Sequence, residues 1–378
     1  MSALEDYEDS IRNMIEQQGY TCAEVSSTLK TSLNITKGSS QSSIYKFCLD
    51  KNIHKYNYGR MSKSEIKNIT TSAVQVTGPT YGRKLVTGFL RSKGYNLGER
   101  SVRTSLLDIS PFYVAQRRAV VERNTNPSAY YAEYAGHKLH MDQNEKQNLE
   151  SEVLASDGFS GKITAYALMP FKNNLLKYDN VYKSTCLKYG LFDQIRVDFG
   201  KEFYLCLYKD LYTIQILGLY HQENVKQYRT NTNRPEYIQT MSRQNHAAER
   251  KWVEVNSRIN YPLKCVLRKM SDDFEIDMND PVTKFCVSQL TMQCCNIGFQ
   301  QLIPSWNAHS IPGKGIPDRL FASNLHTQRL PCIFFPPSEV VAEQYMQDGG
   351  RLTMPGPCGI DPLECDQALK ERVKFSQT

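Results

Sequence analysis

Three carboxylates in the middle of the chain stand where chemistry in an α/β sheet is usually kept. Asp142 ends the alternating run Leu139-His140-Met141-Asp142, Asp198 ends the short run from Ile195, and Glu249 lies in the first third of a long helical pattern. Open α/β sheets place reacting groups where elements give way to loops. Carboxylates are hard oxygen donors suited to magnesium or manganese, and two such ions about 3.5–4 Å apart activate an attacking oxygen and stabilise the leaving one in phosphoryl transfer. Thirty-nine Asp and Glu make many comparable triplets, so placement alone leaves this one among several. Asp157 is the rival carboxylate, but an Asp-Gly pair at a hairpin is turn chemistry. His140 and His246 adjoin two of the three. Magnesium prefers oxygen, which leaves them to packing or to contacts outside the metal shell.

The elements that must hold these residues begin at Gly136, where the pattern changes from period 3.6 to period 2. Leu139 and Met141 alternate with His140 and Asp142, Val153 and Ala155 alternate up to the Asp157-Gly158 turn, and Ile163 and Ala165 open a third run. This predicts antiparallel strands with tight turns. A helix over 174–189, the strand Ile195-Arg196-Val197-Asp198 and a helix over 202–217 follow. Residues 218–241 are polar and loop-like. Ser242 can then cap a long helix with Ala248, Trp252, Val255 and Ile259 on one face. Strands followed by alternating helix and strand indicate a layered α/β domain.

Ahead of it the chain is helical. Ile11, Met14 and Ile15 have helical spacing, Thr21-x-x-Glu24 is a capping box, and a third helix carries Ile44, Phe47 and Cys48 inside with Ser42, Ser43 and Lys46 outside. A small-residue turn before the last helix suits a helix-turn-helix, with Ser42 and Lys46 placed for DNA, although a plain three-helix cap fits the same pattern. A second trio opens at the capping box Ser62-x-x-Glu65, continues through Tyr81-Gly82-Arg83-Lys84 to Gly94, and ends with a helix over Glu99 to Ile109.

Charge separates these regions. The chain has 378 residues and a net charge of +7, but residues 55–125 hold 13 Lys and Arg against 4 Asp and Glu, a net of +9. Residues 245–269 add +4, and residues 270–378 carry −5. Basic charge confined to two blocks suits phosphate contacts, and Arg83, Lys84, Arg103, Arg117 and Arg118 are the candidates in the first, while a solvated basic surface accounts for the same count. No stretch has the roughly 18 uninterrupted apolar residues of a membrane span, and the start MSALEDYEDS is acidic where a leader would be basic and apolar. Eleven scattered cysteines without a C-x-x-C pair argue against a disulfide framework and a zinc ribbon.

Four segments carry a resemblance. Gly136-His137-Lys138-Leu139-His140-Met141-Asp142, the turn Asp157-Gly158-Phe159-Ser160-Gly161, the run Ile195-Arg196-Val197-Asp198-Phe199-Gly200-Lys201-Glu202 and Asn245-His246-Ala247-Ala248-Glu249-Arg250 resemble, in order, the core of retroviral-type integrases and DDE transposases. The likeness is greatest to integrase-core proteins of eukaryotic mobile elements and covers about residues 130–262. The family pattern places one aspartate at the end of strand one, a second at the end of strand four, and a glutamate four residues after an Asn on the following helix. Asp142, Asp198, Glu249 and Asn245 match it one by one. The resemblance implies a ribonuclease H-like fold, two Mg2+ or Mn2+ ions on the three carboxylates, and a helix whose Asn245, Arg250, Lys251 and Arg258 face donor DNA. The Tyr81–Lys84 helix is also similar to the helix-turn-helix ahead of the core in bacterial insertion-sequence transposases. Two features depart from the pattern: fifty residues separate Asp198 from Glu249, more than in retroviral integrases, and there is no His-His-Cys-Cys array at the N-terminus.

The expected organisation is two helix-turn-helix-like units over 1–55 and 56–110, a basic linker over 111–130, a catalytic core over 131–265, a helical extension over 266–335 and a flexible acidic tail over 336–378. The expected function is a nuclear DNA integrase or transposase, acting as a homo-oligomer on element ends and target DNA, with no membrane and no small-molecule substrate. One ion would activate water to nick the element end, and then the resulting 3′-hydroxyl to attack target DNA. A non-catalytic DNA-binding protein derived from an integrase, and a ribonuclease H-like nuclease, share the same residues.

Overall fold

A computed structural model describes residues 4–54, 61–114, 131–144, 151–170, 172–197, 227–239, 246–347 and 362, with side chains left undescribed at 17, 32, 239, 246–249, 344 and 345. The chain forms two compact units, Met1–Asn124 with Pro304–Ile316, and Thr125–Ile303 with Pro317–Thr378.

The first unit is helical. Helix α1 (Glu8–Arg12) continues as a π turn (Asn13–Gln17), and α2 (Cys22–Ser32) and α3 (Gln41–Asp50) close over Ile11, Val25, Leu29 and Ile44, all fully buried. Both expected capping boxes form. Thr21 Oγ1 accepts from Glu24 N at 3.2 Å while Glu24 Oε2 accepts from Thr21 N at 2.6 Å, and Ser62 and Glu65 repeat the exchange. Each box satisfies two amides that the helix itself leaves without acceptors. Then come α4 (Lys63–Thr77), α5 (Arg83–Ser92) and α6 (Glu99–Ile109), which bury Val86, Leu90, Val102 and Leu106. Residues 304–316 return to this unit at Gly88, where Arg91 Nη1 donates to Ala308 O at 2.5 Å.

The second unit is mixed α/β. Strands β1 (Lys138–Asn144), β2 (Ser151–Asp157), β3 (Ile163–Met169), β4 (Gln194–Val197) and β5 (Tyr237–Gln239) form one sheet in the order β3-β2-β1-β4-β5. β1 pairs antiparallel with β2 and β2 with β3; β1 pairs parallel with β4 and β4 with β5. Side chains alternate between the faces of a strand. Leu139, Met141, Val153, Ala155, Ile195 and Val197 lie in one core with Tyr178, Val181 and Tyr182 of α7, a continuous helical run through Asn174–Leu176, the π-helical Lys177–Lys183 and Ser184–Tyr189. The opposite face receives α8 (His246–Val255), continued by a π turn (Asn256–Asn260) and then α9 (Tyr261–Asp272). Helix α10 (Pro281–Ala308), helix α11 (Pro317–Ser323) and helix α12 (Ser338–Gln347) complete the chain.

His140 and Asp142 are buried along with Leu139 and Met141, because β1 is the central strand and both of its faces are covered. Two sequence expectations change here. The stretch 218–241 contains β5 and the buried Arg229, so its described part is built into the sheet edge. The expected tail begins as helix: α12 buries Ala342, and just before it the Pro336 carbonyl accepts from Tyr178 Oη and Lys183 Nζ, both at 3.2 Å. Phe335, 2% exposed, anchors this return to the core. The expected helix over 202–217, the linker residues 115–130 and the tail from 348 onward, save Pro362, lie outside the described residues.

Two glycines are required by the close passage of residues 325–328. Gly136 and Gly190 both adopt φ of +95°, and a Cβ on Gly190 would fall 2.6 Å from Thr327 Oγ1. Thr327 Oγ1 donates to Tyr189 O at 2.5 Å, so no larger residue fits between them.

Candidate active site on the covered polar face of the sheet

Asp142 is the fifth of seven residues in β1 and faces α8 across the sheet. It is 9% exposed, and its Oδ2 accepts a 3.1 Å hydrogen bond from Trp252 Nε1, while Oδ1 accepts from the Gln143 amide at 3.0 Å. Trp252 belongs to α8, the helix that carries Glu249 one turn earlier. A carboxylate is a hard oxygen donor of the kind that magnesium and manganese take. The donor chemistry of Asp142 therefore fits magnesium or manganese.

Asp198 lies outside the described residues, as do Asn245, Arg117 and Arg118; Glu249 is placed in α8 by its backbone, without a described side chain. The parallel register of β1 and β4 pairs His140 with Arg196. Asp142 and Asp198 are each two residues beyond that pair in sequence. Among residues with described side chains, no group of three His, Cys, Asp or Glu is gathered in a metal-binding cluster.

Beside Asp142 on the same face, four residues close a ring that sequence reasoning did not anticipate. Asn144 Nδ2 donates to Glu152 Oε2 at 2.9 Å and to Asn256 Oδ1 at 3.0 Å, and Asn260 Nδ2 donates to the same two oxygens at 2.7 and 3.0 Å. Asn144 ends β1, Glu152 stands opposite it on β2, and Asn256 and Asn260 occupy the two ends of the π turn. All four are buried. A buried carboxylate costs several kcal/mol unless hydrogen-bonded, so this ring fixes where α8 sits on the sheet. The available signal was the spacing 252, 256, 260, one polar-tipped residue per turn along the helix after Glu249. It was hidden because Trp252 also satisfies the apolar stripe. Tyr166 of β3 extends the contact to α10, stacking on Phe299 at 4.9 Å and donating to Asn296 Oδ1 at 2.8 Å. Its burial raises the phenol pKa above the usual value.

Asp157 is a turn residue, as expected from its Gly158 neighbour. Its Oδ2 accepts from Ser160 N at 2.6 Å and Ser160 Oγ at 2.7 Å, and Oδ1 accepts from Gly136 N at 3.0 Å. His140 is fully buried.

A second buried polar cluster lies at the opposite end of β1. Arg229 donates to Asp193 O at 2.9 Å and Glu236 Oε1 at 3.1 Å, Tyr134 Oη donates to the Asp193 carboxylate, and Asn231 N donates to Asp193 Oδ1 at 3.0 Å. His137 accepts from Glu133 N at 3.0 Å, and the Arg234 guanidinium lies against its ring. Burial, with Arg234 and Lys138 adding repulsion, pushes the imidazole pKa down to about 4. These groups tie residues 229–236 to the start of the sheet.

The expected DNA contacts divide by exposure. Ser42, Lys46, Arg83, Arg103 and Arg250 are exposed, and Lys84 is half-buried. Arg83 reaches Glu99 at 3.4 Å in a solvent-exposed pair. Arg258 pairs with Glu254 one turn back on its helix. Lys251 corrects the expectation: it is 3% exposed, so its ammonium is held within the chain rather than presented to a phosphate. The alternation of helix α8 puts residue 251 against the body of the unit, and Arg250 carries the exposed charge instead.

Among described residues, no helix is long and apolar enough to cross a membrane. No family model matches the sequence, and no curated protein matches it. Among solved structures, a chain from the cryoEM structure of a simian T-cell lymphotropic virus intasome in complex with PP2A regulatory subunit B56 gamma is similar with a TM-score of 0.32 and 14% identity, over 69% of this chain and 74% of that one. So loose a superposition carries no argument about chemistry.

Proposed function

We propose that this chain is a DNA integrase or transposase with a ribonuclease H-like core, in which Asp142, Asp198 and Glu249 hold two Mg2+ or Mn2+ ions. The observation that carries the reading is the Trp252–Asp142 hydrogen bond. It docks the helix bearing Glu249 onto the carboxylate of β1, while residue 198 directly follows β4, the strand parallel to β1. Strand one, strand four and the following helix are the three places from which the family pattern draws its carboxylates.

The bound ions would supply activation of the attacking oxygen and stabilisation of the leaving one. The chain's own residues position the rest. Trp252 fixes the plane of the Asp142 carboxylate, the Asn144–Glu152–Asn256–Asn260 ring sets the helix against the sheet, and the exposed Arg250 offers charge to a DNA phosphate beside the site. Arg83, Lys84 and Arg103 in the first unit, with Ser42 and Lys46 on α3, are the residues proposed to bind DNA backbone. Two DNA ends need two active sites, so a homo-oligomer acting in the nucleus belongs to the same reading.

The test is a magnesium-dependent strand-transfer assay on an element-end oligonucleotide with wild type, Asp142→Asn, Asp198→Asn and Glu249→Gln. Joining by wild type and loss of at least about 100-fold in each variant is expected, since removing one charged catalytic group costs several kcal/mol of barrier. Cleavage without joining would identify a nuclease. Equal behaviour of all four proteins would leave DNA binding as the function and remove the catalytic assignment.

A further inference from the structure

Cys22 is the first residue of α2 and Cys48 the eighth of ten in α3, and these two helices pack on each other in the first unit. Cys48 is buried in the core with Ile11, Val25, Leu29 and Ile44, while Cys22 packs on the rim of that core and is only half-buried. Both are free thiols, and they are in hydrogen-bond contact with each other. A buried cysteine by itself is a small apolar core residue. What sets Cys48 apart is a second thiol lying against it, on the side that solvent can reach. Burial pushes the Cys48 thiol up to about 12, and the neighbouring Cys22 adds to the effect. Cys48 therefore stays protonated at neutral pH, and of the two only Cys22 can be attacked or attack from outside.

A thiol pair can serve a metal or a redox reaction. A structural zinc site takes about four ligands, and among the described residues no group of three His, Cys, Asp or Glu is gathered, so this pair has no third ligand beside it. Redox chemistry needs only what is present. An accessible thiol that reacts with an oxidant and a second thiol already touching it, placed to displace the oxidised group, are the two parts of a reversible thiol sensor. Contact between the side chains leaves little movement to reach an S–S bond of about 2.05 Å.

We propose that Cys22 and Cys48 form a reversible disulfide when the chain meets a peroxide, cross-linking α2 to α3. Cys22, as the thiolate, attacks one oxygen of hydrogen peroxide; the O–O bond breaks, Cys22 becomes a sulfenic acid, and the other oxygen leaves as hydroxide, which takes up the proton lost by Cys22 to make water. The Cys48 sulfur then attacks the Cys22 sulfur, the S–O bond breaks, and the departing hydroxide takes the Cys48 proton to make a second water. Two thiols give up two electrons and the peroxide accepts them. A dithiol reductant reverses the reaction by thiol–disulfide exchange. The bond closes a loop of twenty-seven residues, Cys22 through Cys48, and fastens the helix that presents Ser42 and Lys46. The inference stands apart from the catalytic reading, because the cross-link is measured without DNA or metal.

The test treats the reduced full chain with hydrogen peroxide, blocks the remaining thiols with an alkylating agent, and maps cysteine pairs by mass spectrometry of a non-reducing digest. A Cys22–Cys48 peptide pair, lighter by two hydrogens than its reduced parts and abolished by dithiothreitol, is expected as the main product. The melting midpoint of the oxidised chain should rise by at least about 5 °C over the reduced one, because the cross-link restrains the unfolded chain. Cys22→Ser, at a half-buried position where serine fits, should melt with reduced wild type and show neither the pair nor the rise; Cys48→Ala should likewise lose both. Four results would each overturn the proposal: no cross-link in the oxidised wild type, Cys22 ending as a sulfinic acid, Cys22 pairing chiefly with another cysteine such as the exposed Cys265, Cys286 or Cys332, or a zinc ion bound one per chain in wild type and lost in Cys22→Ser.

Discussion

Trp252 does two things that its place in an apolar stripe conceals: it buries its ring between helix and sheet, and it donates its one N–H to Asp142. A hydrogen bond to a charged acceptor contributes about 1.5–3 kcal/mol, and groups that orient a metal ligand are worth roughly 10–100-fold in metal affinity. Trp252→Phe is expected to lower the unfolding midpoint and to weaken Mg2+ or Mn2+ binding by that factor in titration calorimetry; unchanged metal affinity would mean that the indole does not orient a ligand. His137 gives a pH dependence of definite sign. Its native pKa of about 4 lies below the ordinary 6.5, so the unfolded chain takes up the proton first as pH falls. The stability tied to the neutral imidazole is complete above about pH 6.5 and is lost between there and pH 4. Urea midpoints measured from pH 7 to 4 should fall more steeply for wild type than for His137→Gln. At this scale the sequence was partly legible: Asp142 and the turn role of Asp157 follow from residue type and position, whereas the depression of His137 depends first on its burial and then on Arg234, ninety-seven residues away.

At the scale of elements, the helix that bears Glu249 is held by amides rather than by grease alone. Asn256 and Asn260 reach across a π turn to Asn144 and Glu152 on two neighbouring strands. Asn260→Leu removes one donor from a buried carboxylate and is expected to cost about 1–3 kcal/mol in chemical denaturation. The same change should reduce strand transfer, whereas Ser257→Ala on the exposed side of the turn should do neither. In the first unit Gly88 faces the backbone of Ser305 and the side chain of His309, with a Cβ position 3.0 Å from His309 Cβ. Gly88→Ala overpacks that contact, and a loss of about 1–3 kcal/mol is expected from its thermal melt. Capping boxes and helices such as Glu99–Ile109 were legible because their signals sit within three or four residues of each other. Strand β5 was not, because three residues show no period and only pairing with β4 makes them a strand. Helix α12 was missed for a related reason: its place is set by Phe335 and Val341 packing on a distant core.

Over the whole molecule, charge is the property with the longest reach. A net of +7 conceals +9 over residues 55–125 and −5 over 270–378. If the first block binds DNA phosphates, replacing Arg83, Lys84 and Arg103 with Gln should weaken binding to all duplexes alike and reduce the salt slope by about 0.9 for each lost contact, read by fluorescence anisotropy at several salt concentrations. The pair Arg83–Glu99 is exposed and contributes little to folding, so the variant should melt with wild type. The inner arrangement of charge obeys another rule. Arg229 is buried and donates to the Asp193 carbonyl and to the half-buried Glu236 carboxylate, so solvent screens this pair less than a surface one and removal of Glu236 would strand the guanidinium.

The sequence by itself determined the helical first third, the strands from Lys138 onward, the two capping boxes, the placement of basic charge and the order of the three carboxylates along the chain. Those properties are local, carried by periodicity, neighbouring side chains and counts. Only the tertiary structure decided that β1 is central and covered on both faces, that Lys251 points inward, that Trp252 touches Asp142, and that Asn144, Glu152, Asn256 and Asn260 close one ring. Each of these depends on residues brought together from positions that can be more than a hundred apart, and burial is a property of what covers a residue rather than of the residue.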